Sequence, residues 1–277
     1  MHIRPTGAAY PLPMDLGQLR ARLAGSRFAS IDWTAETGST NADLLDAASA
    51  GAPDGTVLVA GHQLAGRGRL DRRWEAPPGA ALLVSILLRP GLAASDRHLL
   101  TTALGLAALE AVRATTGLVV ALKWPNDLIV GAGDSRKLGG ILAEARDDAV
   151  VLGIGINVAF GGDFPPELES IAASLDELTG HVVPPEELLV ELLVAFGEHL
   201  DALEADRAAA GPELMAAYRA RCTTIGAEVR VERPDPADPM TGTAVDITEA
   251  GELVVLAGEE HHRVAVGDVV HVRRGTG

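Results

Sequence analysis

Gly66-Arg67-Gly68-Arg69-Leu70-Asp71-Arg72-Arg73-Trp74 is the stretch from which the rest of this chain is best interpreted. It places four arginines within seven residues, although the 277-residue chain has a formal net charge of −15. Glycine lets the backbone turn tightly and approach a ligand closely. Arginine supplies a planar, permanently charged donor that suits phosphate and carboxylate groups. The stretch therefore predicts a local anion-binding loop, and an ordinary solvated surface loop is the alternative.

The overall composition argues against several classes of protein. An acidic chain lacks the broad basic surface that nucleic-acid binding requires, so we expect no nucleic-acid partner. The longest apolar stretch, 80–88, is half a membrane span at most, and residues 1–13 do not have the pattern of a signal peptide. The single cysteine, Cys222, excludes an internal disulfide and fits a reducing compartment. We therefore expect a soluble, cytoplasmic protein that does not bind membranes.

Hydrophobic periodicity predicts helices and strands over most of the chain. The expected helices are 42–50, 97–116, 185–205 and 212–222, and the expected strands are 56–60, 80–88, 119–122, 140–145 and 149–158. After Thr223, short alternating apolar segments are separated by Pro, Gly and Asp, which predicts a small β-barrel. We therefore divide the chain into an N-terminal segment (1–30), a large α/β domain (31–223) and a small C-terminal domain (224–277).

Three further motifs place polar groups or glycines at the ends or inside of strands. In KWPND (123–127), the proline forces a turn that presents Asn126 and Asp127 together. Asparagine can contact a polar ligand edge and aspartate can help to hold Mg²⁺, although an ordinary Pro-Asn-Asp turn is the alternative. RKLGGIL (136–142) and GIGINV (153–158) place glycines in apolar strands, where a ligand or another backbone approaches closely.

Lysine is rare in this chain, and its positions are informative. The sequence contains only Lys123 and Lys137, and each lies in one of these motifs. Because both lysines of the chain lie within these motifs, we expect both to contribute to the site.

Taken together, the motifs resemble those of the biotin–protein ligases of the monofunctional type. GRGR-x-x-R-x-W, KWPND, KLGGIL and GIGINV occur in the order of that family with similar gaps, and Ser39-Thr40-Asn41 and Gln63 also fall where the family has them. The resemblance covers about residues 30 to 274. It implies an α/β (α+β) catalytic domain with a mixed sheet, related to class II aminoacyl-tRNA synthetases, and a small SH3-like β-barrel at the C-terminus. The residues before the core contain no paired helices, so we expect no DNA-binding domain.

The resemblance also implies an activity. Such enzymes join the carboxylate of biotin to the α-phosphate of ATP in the presence of Mg²⁺, release pyrophosphate, and pass biotin from biotinyl-5′-AMP to a lysine. The acceptor is a biotin carboxyl carrier domain, as in acetyl-CoA carboxylase. The first step brings two anions together, at a cost of about 4 kcal/mol at 4 Å and an effective dielectric near 20, so cations are required. A lipoate–protein ligase and a non-catalytic biotin sensor are the alternatives, and the sequence leaves open whether the protein is a monomer or a homodimer.

The resemblance assigns roles to individual residues. Those expected to bind biotin are Ser39, Thr40, Gln63, Gly66, Arg67, Lys137, Gly139 and Gly155. Those expected to bind ATP or the adenylate are Arg69, Arg72, Trp74, Lys123, Asn126, Asp127 and Asn157, and Asp127 is also the expected Mg²⁺ ligand. The expected catalytic cations are Arg67, Arg69 and Lys137, with Lys137 bridging the carboxylate and the α-phosphate. Asp71 departs from the family, in which many members have glycine, so the ordering of the loop could differ here.

Overall fold

The computed structural model describes residues 14–70, 72–131, 135–161, 164–232, 240–265 and 268–271. Asp71, the residue that departs from the family pattern, lies outside them. The helices are α1 (Leu16–Arg22), α2 (Thr40–Ser49), α3 (His98–Thr116), α4 (Leu175–Thr179), α5 (Pro185–Ala205) and α6 (Arg207–Arg221). The strands are β1 (Ile31–Thr34), β2 (Val57–Ala60), β3 (Ala81–Leu88), β4 (Ala121–Lys123), β5 (Asp127–Val130), β6 (Arg136–Arg146), β7 (Ala149–Asn157), β8 (Glu228–Glu232), β9 (Met240–Ile247), β10 (Leu253–Ala257), β11 (Glu260–Val264) and β12 (Asp268–His271).

Seven strands form a mixed sheet in the order β1-β2-β3-β7-β6-β5-β4. The pair β1–β2 is parallel and the remaining neighbours are antiparallel. Strands β2, β3 and β7 form where the sequence predicts them. Strand β6 begins four residues earlier than expected, at Arg136, because its first residues pair with β5. Helix α6 begins at Arg207 rather than at Pro212, because the Asp206 side chain caps the earlier start by accepting from the backbone nitrogen of Ala209.

The sheet is covered on both faces near its centre. Helices α3, α5 and α6 belong to the main hydrophobic core, which covers one face. Helix α2 covers part of the other face, where Leu44 and Leu45 pack with Leu87 and Val151. Because its two faces are both covered, β3 is buried at all eight positions, which explains why it appears in the sequence as one continuous apolar run.

Five strands form a second, antiparallel sheet in the order β11-β10-β9-β8-β12. The expectation of a mixed α/β part followed by a small C-terminal β-domain is therefore confirmed. The expected division between residues 223 and 224 lies between the end of α6 and the start of β8. Across the described ranges, no helix combines the length and the apolar character needed to span a bilayer.

Candidate active site

A cavity of about 290 Å³ lies on the α2 face of the large sheet, next to the N-terminal end of α2. All four sequence motifs contribute to its lining. Of the residues that the sequence assigns to a site, the cavity is lined by Ser39, Thr40, Gln63, Arg67, Arg69, Arg72, Trp74, Lys123, Asn126, Asp127, Lys137 and Gly155. Segments that are far apart in the chain therefore meet at one place.

Two glycines of β7 form the floor of this cavity. Gly153 and Gly155 follow Val151 at every second position of β7, so the three residues belong to the same face of the sheet. Helix α2 covers that face at Val151. A Cβ atom at Gly153 would collide with the side-chain oxygen of Asn41, and one at Gly155 would lie 2.7 Å from the indole ring of Trp74. The glycines therefore provide the space into which Asn41 and Trp74 fit.

One end of the cavity carries neutral hydrogen-bonding groups. The backbone nitrogen and the hydroxyl of Thr40 donate to Gln63 Oε1 at 2.8 and 3.1 Å. The hydroxyl oxygen of Ser85, on β3, lies 2.7 Å from Thr40 Oγ1 and 2.6 Å from Asn41 Oδ1. Because its oxygen is engaged, Gln63 has its amide nitrogen to offer a ligand as a donor. Ser39 is buried beside this group.

Asn41 and Glu144 connect this neutral end to residues 66–74, which we call the Gly/Arg loop. Asn41 Nδ2 donates to the carbonyl of Leu142 at 3.2 Å and to Glu144 Oε2 at 2.9 Å. The other carboxylate oxygen of Glu144 forms an ion pair with Arg67 at 2.9 Å. Sequence reasoning missed both Glu144 and Ser85 as site residues. For Ser85 the one available signal was a hydroxyl in the middle of an otherwise apolar strand.

The Gly/Arg loop closes on itself as a small hairpin. The backbone nitrogen of Gly68 donates to the carbonyl of Arg72 at 2.7 Å, and that of Trp74 donates to Gly66 at 2.9 Å. A further backbone bond from Ala65 to Gly38, at 2.9 Å, attaches the loop to the segment before α2. Gly66 is buried in the base of the hairpin, outside the cavity lining. The loop thus brings its arginines to the cavity, while its two glycines lie in the paired arms of the hairpin.

Lys137 lies opposite this loop. Its ammonium group is 2.6 Å from Asp127 Oδ1 and 5.5 Å from the centroid of the Trp74 ring, within the range of a cation–π interaction. Its backbone is held by two hydrogen bonds, one donated to Ile171 at 2.7 Å and one accepted from Ala173 at 2.9 Å. The side chain remains 39% exposed, so a ligand can reach it.

The turn between β4 and β5 presents Lys123, Asn126 and Asp127. The Trp124–Pro125 peptide bond is cis. Asn126 is bound to β6 in both directions: its Nδ2 donates to the carbonyl of Ile141 at 2.6 Å, and its carbonyl accepts from the nitrogen of Ile141 at 2.9 Å. The turn is therefore attached to the strand that carries Lys137.

Three predicted residues do not line the cavity, namely Gly66, Gly139 and Asn157. Asn157 is 5% exposed, and its Nδ2 donates to the carbonyl of Ala173 at 3.0 Å and lies 3.5 Å from that of Lys137. Asn157 thus connects β6, at Lys137, to the segment of residues 171–173 that holds the Lys137 backbone. Gly139 is buried at the point where β6 pairs with β7.

The electrostatic character of the cavity is opposite to that of the whole chain. Among the described residues that line it, the cations are Arg67, Arg69, Arg72, Arg73, Lys123 and Lys137, and the one carboxylate is Asp127. No group of three or more His, Cys, Asp or Glu in the described ranges is arranged to hold a metal ion. A single carboxylate nevertheless suits Mg²⁺, which usually keeps several waters and binds through one or two carboxylates and substrate phosphates. The site is therefore built for an anionic ligand with a neutral polar end.

Comparison with protein families identifies two matching segments. Residues 28–160 match the biotin/lipoate A/B protein ligase family, and residues 224–272 match the biotin protein ligase C-terminal domain. The first segment contains the Gly/Arg loop, the 123–127 turn and Lys137. The second contains the five-stranded sheet.

Several individual proteins are also similar. A biotin–[acetyl-CoA-carboxylase] ligase from Mycobacterium tuberculosis is 41% identical over 268 residues, which cover 94% of this chain and 97% of the relative. The bifunctional ligase/repressor BirA of Bacillus spizizenii is 35% identical over 164 residues, covering 57% of this chain and 50% of that protein. Among solved structures, the biotin protein ligase of Aquifex aeolicus in complex with biotin and ATP superposes with a TM-score of 0.76 at 29% identity, covering 88% of this chain and 99% of that one.

Proposed function

Because the chain belongs to the biotin/lipoate A/B protein ligase family, we propose that it is an ATP-dependent biotin–protein ligase. It forms biotinyl-5′-AMP from biotin and ATP, and it transfers biotin to a lysine of a biotin carboxyl carrier domain. The observation that carries this proposal is the polarity of the 290 Å³ cavity, which has neutral hydrogen-bonding groups at one end and six cations around the rest. A biotin molecule has the matching arrangement, a neutral ureido ring at one end and a carboxylate at the other.

The neutral end accounts for recognition of the ureido ring. The Gln63 amide nitrogen is a donor for the ureido oxygen, and the Ser39 and Thr40 hydroxyls can exchange hydrogen bonds with the ring. The Thr40 hydroxyl is already bonded to Gln63 and Ser85, but Ser39 is buried and lines the cavity, so a ligand lacking complementary groups leaves the Ser39 hydroxyl unsatisfied, at a cost of about 1–3 kcal/mol. A dithiolane ring offers no such groups, and this favours biotin over lipoate.

The cationic part accounts for activation of the carboxylate. Lys137 and Arg69 can lie on either side of the carboxylate and the α-phosphate and offset their repulsion. Asp127 is the residue that would hold Mg²⁺. When it is bound, this ion would neutralise part of the charge on the ATP phosphates. Trp74 covers the floor beside Lys137 and limits the access of water to a reactive mixed anhydride. No covalent bond between enzyme and biotin is needed.

The transfer step requires a lysine of the carrier domain to reach the adenylate carbonyl. Asp127 is the carboxylate of the cavity, so it can orient the incoming ammonium group after Lys137 moves from it to the ligand. The acceptor amine loses a proton and attacks the carbonyl carbon, and AMP leaves. The carrier domain of an acetyl-CoA carboxylase is the proposed partner, in line with the name of the mycobacterial relative.

The test is the intact mass of a carrier domain after incubation with the protein, MgATP and biotin, with a parallel reaction that contains lipoate. We expect the mass of one biotinyl group on one lysine and no reaction with lipoate. Lipoylation would preserve the mechanism and contradict the interpretation of the neutral end. Binding of biotin without any modification would instead support a sensor.

A further inference from the structure

The turn that presents Lys123, Asn126 and Asp127 is held from behind by the C-terminal domain. The indole nitrogen of Trp124 donates to the carbonyl of Gly251 at 2.9 Å, across 127 residues of sequence. The backbone nitrogen of Trp124 donates to Thr224 Oγ1 at 3.0 Å. Trp124 and Thr224 are both buried. The bond to Thr224 is buried and the bond to Gly251 is partly buried, so loss of either partner is costly.

Gly251 is itself firmly placed. It lies in the connection between β9 and β10, with φ of +79°, and a Cβ atom there would lie 3.1 Å from the His98 ring. The same connection is attached to the large domain at a second residue: the carbonyl of Glu249 lies 2.9 Å from His98 Nε2, and its carboxylate forms an ion pair with Arg219 at 2.7 Å. The carbonyl that accepts from Trp124 is thus a fixed point rather than part of a free loop.

Packing alone does not hold the turn in place. A second cavity, of about 250 Å³, lies behind it, and Trp124, Pro125, Asn126 and Gly251 all contribute to the lining of that cavity. The turn therefore has space into which it can shift. Besides the two hydrogen bonds between Asn126 and Ile141 of β6, the turn accepts a hydrogen bond from Tyr218 Oη at the carbonyl of Pro125, at 3.3 Å. Burial raises the pKa of the Tyr218 phenol well above its ordinary value, so this group remains a protonated donor.

We propose that Trp124 is a positioning residue through which the C-terminal domain sets the place of Asp127 and its neighbours in the active site. The inference deepens the proposed function, on which it rests. It concerns the cationic part of the cavity, to which we assign ATP, because the neutral end is formed by Thr40, Gln63 and Ser85, which belong to other segments. Loss of the bond to Gly251 should therefore weaken the use of ATP and spare the binding of biotin.

The test is Trp124→Phe, which removes the indole donor and keeps a large aromatic ring. A net hydrogen bond contributes about 0.5–1.5 kcal/mol, so we expect kcat/KM for ATP in adenylate formation to fall about two- to tenfold. The Kd for biotin should change less than about twofold. The matched control is Trp33→Phe, because the buried indole nitrogen of Trp33 has no hydrogen-bond partner among the residues that the structure describes. This control should leave both constants unchanged.

A second variant keeps the inference testable if Trp124→Phe folds poorly. In Gly251→Ala, the new methyl group meets His98 and the positive φ is strained, so the acceptor carbonyl should move. It should reproduce the ATP defect, and the double variant should lose less than the product of the two single losses. An unchanged ATP constant in both variants, or an equal loss of biotin binding, would overturn the inference. Asp127→Asn distinguishes failure of the positioning role from failure of the proposed function. If Asp127→Asn is inactive while Trp124→Phe is normal, only the positioning role of Trp124 is wrong.

Discussion

Replacing Lys137 by methionine removes one ammonium group from the cavity and keeps an unbranched side chain of similar length. In the structure this ammonium group is paired with Asp127 at 2.6 Å. The side chains of Lys137 and Asp127 are 39% and 23% exposed, so the pair is partly screened by solvent. Loss of such a pair changes folding stability by about 0–1 kcal/mol. The fold should therefore survive, and the effect should appear in the chemistry.

The size of that effect follows from the charges that must meet. A carboxylate and a phosphate oxygen about 4 Å apart repel each other by about 4 kcal/mol at an effective dielectric near 20. At about 1.4 kcal/mol for each factor of ten, a cation that offsets all of this repulsion accelerates adenylate formation about 10³-fold. The arginines of the loop share the task, so about 10³-fold is the upper end of the expected loss for Lys137→Met.

The assay is biotin-dependent exchange of pyrophosphate with ATP, which reports adenylate formation without a carrier domain. The control is Arg146→Met, which removes a cation from the other end of β6, where Arg146 pairs with Asp46 at 2.8 Å outside the cavity. It should exchange at the normal rate. Lys137→Arg, which retains the charge in a larger group, should lose less than Lys137→Met. A loss below about threefold in Lys137→Met, with normal folding, would refute the role given to this residue.

Three other outcomes can be tested. In Gly155→Ala, the methyl group would lie 2.7 Å from the Trp74 ring and should displace it, so we expect the KM for biotin to rise about tenfold with little loss of stability; an unchanged KM would mean that Trp74 does not need this position. Asn41→Ala removes hydrogen bonds to Leu142 and Glu144, and we expect the free energy of unfolding in urea to fall by about 2 kcal/mol, whereas Arg22→Ala, at an exposed ion pair with Glu191, should cost less than about 1 kcal/mol. Burial raises the pKa of the Cys222 thiol, so the folded protein keeps this proton as the pH rises above the pKa of the thiol in the unfolded chain, and the free energy of unfolding should decline in that pH range. At pH 8, iodoacetamide should modify Cys222 far more slowly in the folded protein than in the protein unfolded in urea. Equal rates would contradict the burial of Cys222.

Local sequence was sufficient for much of the fold and for the composition of the site. The buried strand at 80–88 and the long helices α3 and α5 have strong apolar patterns, and they form within a residue or two of the predicted positions. The Gly/Arg loop and the turn at 123–127 carry residue types whose chemistry is specific for anions and metals. Their meeting at one cavity could be expected from the resemblance to a known family, and the structure places twelve of the predicted residues there.

Asn157 illustrates what local sequence could not reveal. It has the same parity along β7 as Gly153 and Gly155, so strand alternation alone puts its side chain on the cavity face. The segment that pairs with Lys137 covers that position, and the Asn157 amide donates to Ala173 in this segment instead of lining the cavity. No pattern within β7 records the presence of that covering segment.

The chain by itself determined which residue types are available, which faces of its strands and helices are apolar, and where its turns occur, because these depend on neighbours in sequence. The tertiary structure alone decided that Glu144 joins Asn41 to Arg67, and that the carbonyl of Gly251 supports Trp124. Such contacts depend on the register of strands and on the docking of two sheets. Both are set by packing across the whole molecule, so the partners of these side chains can be identified only when the complete fold is known.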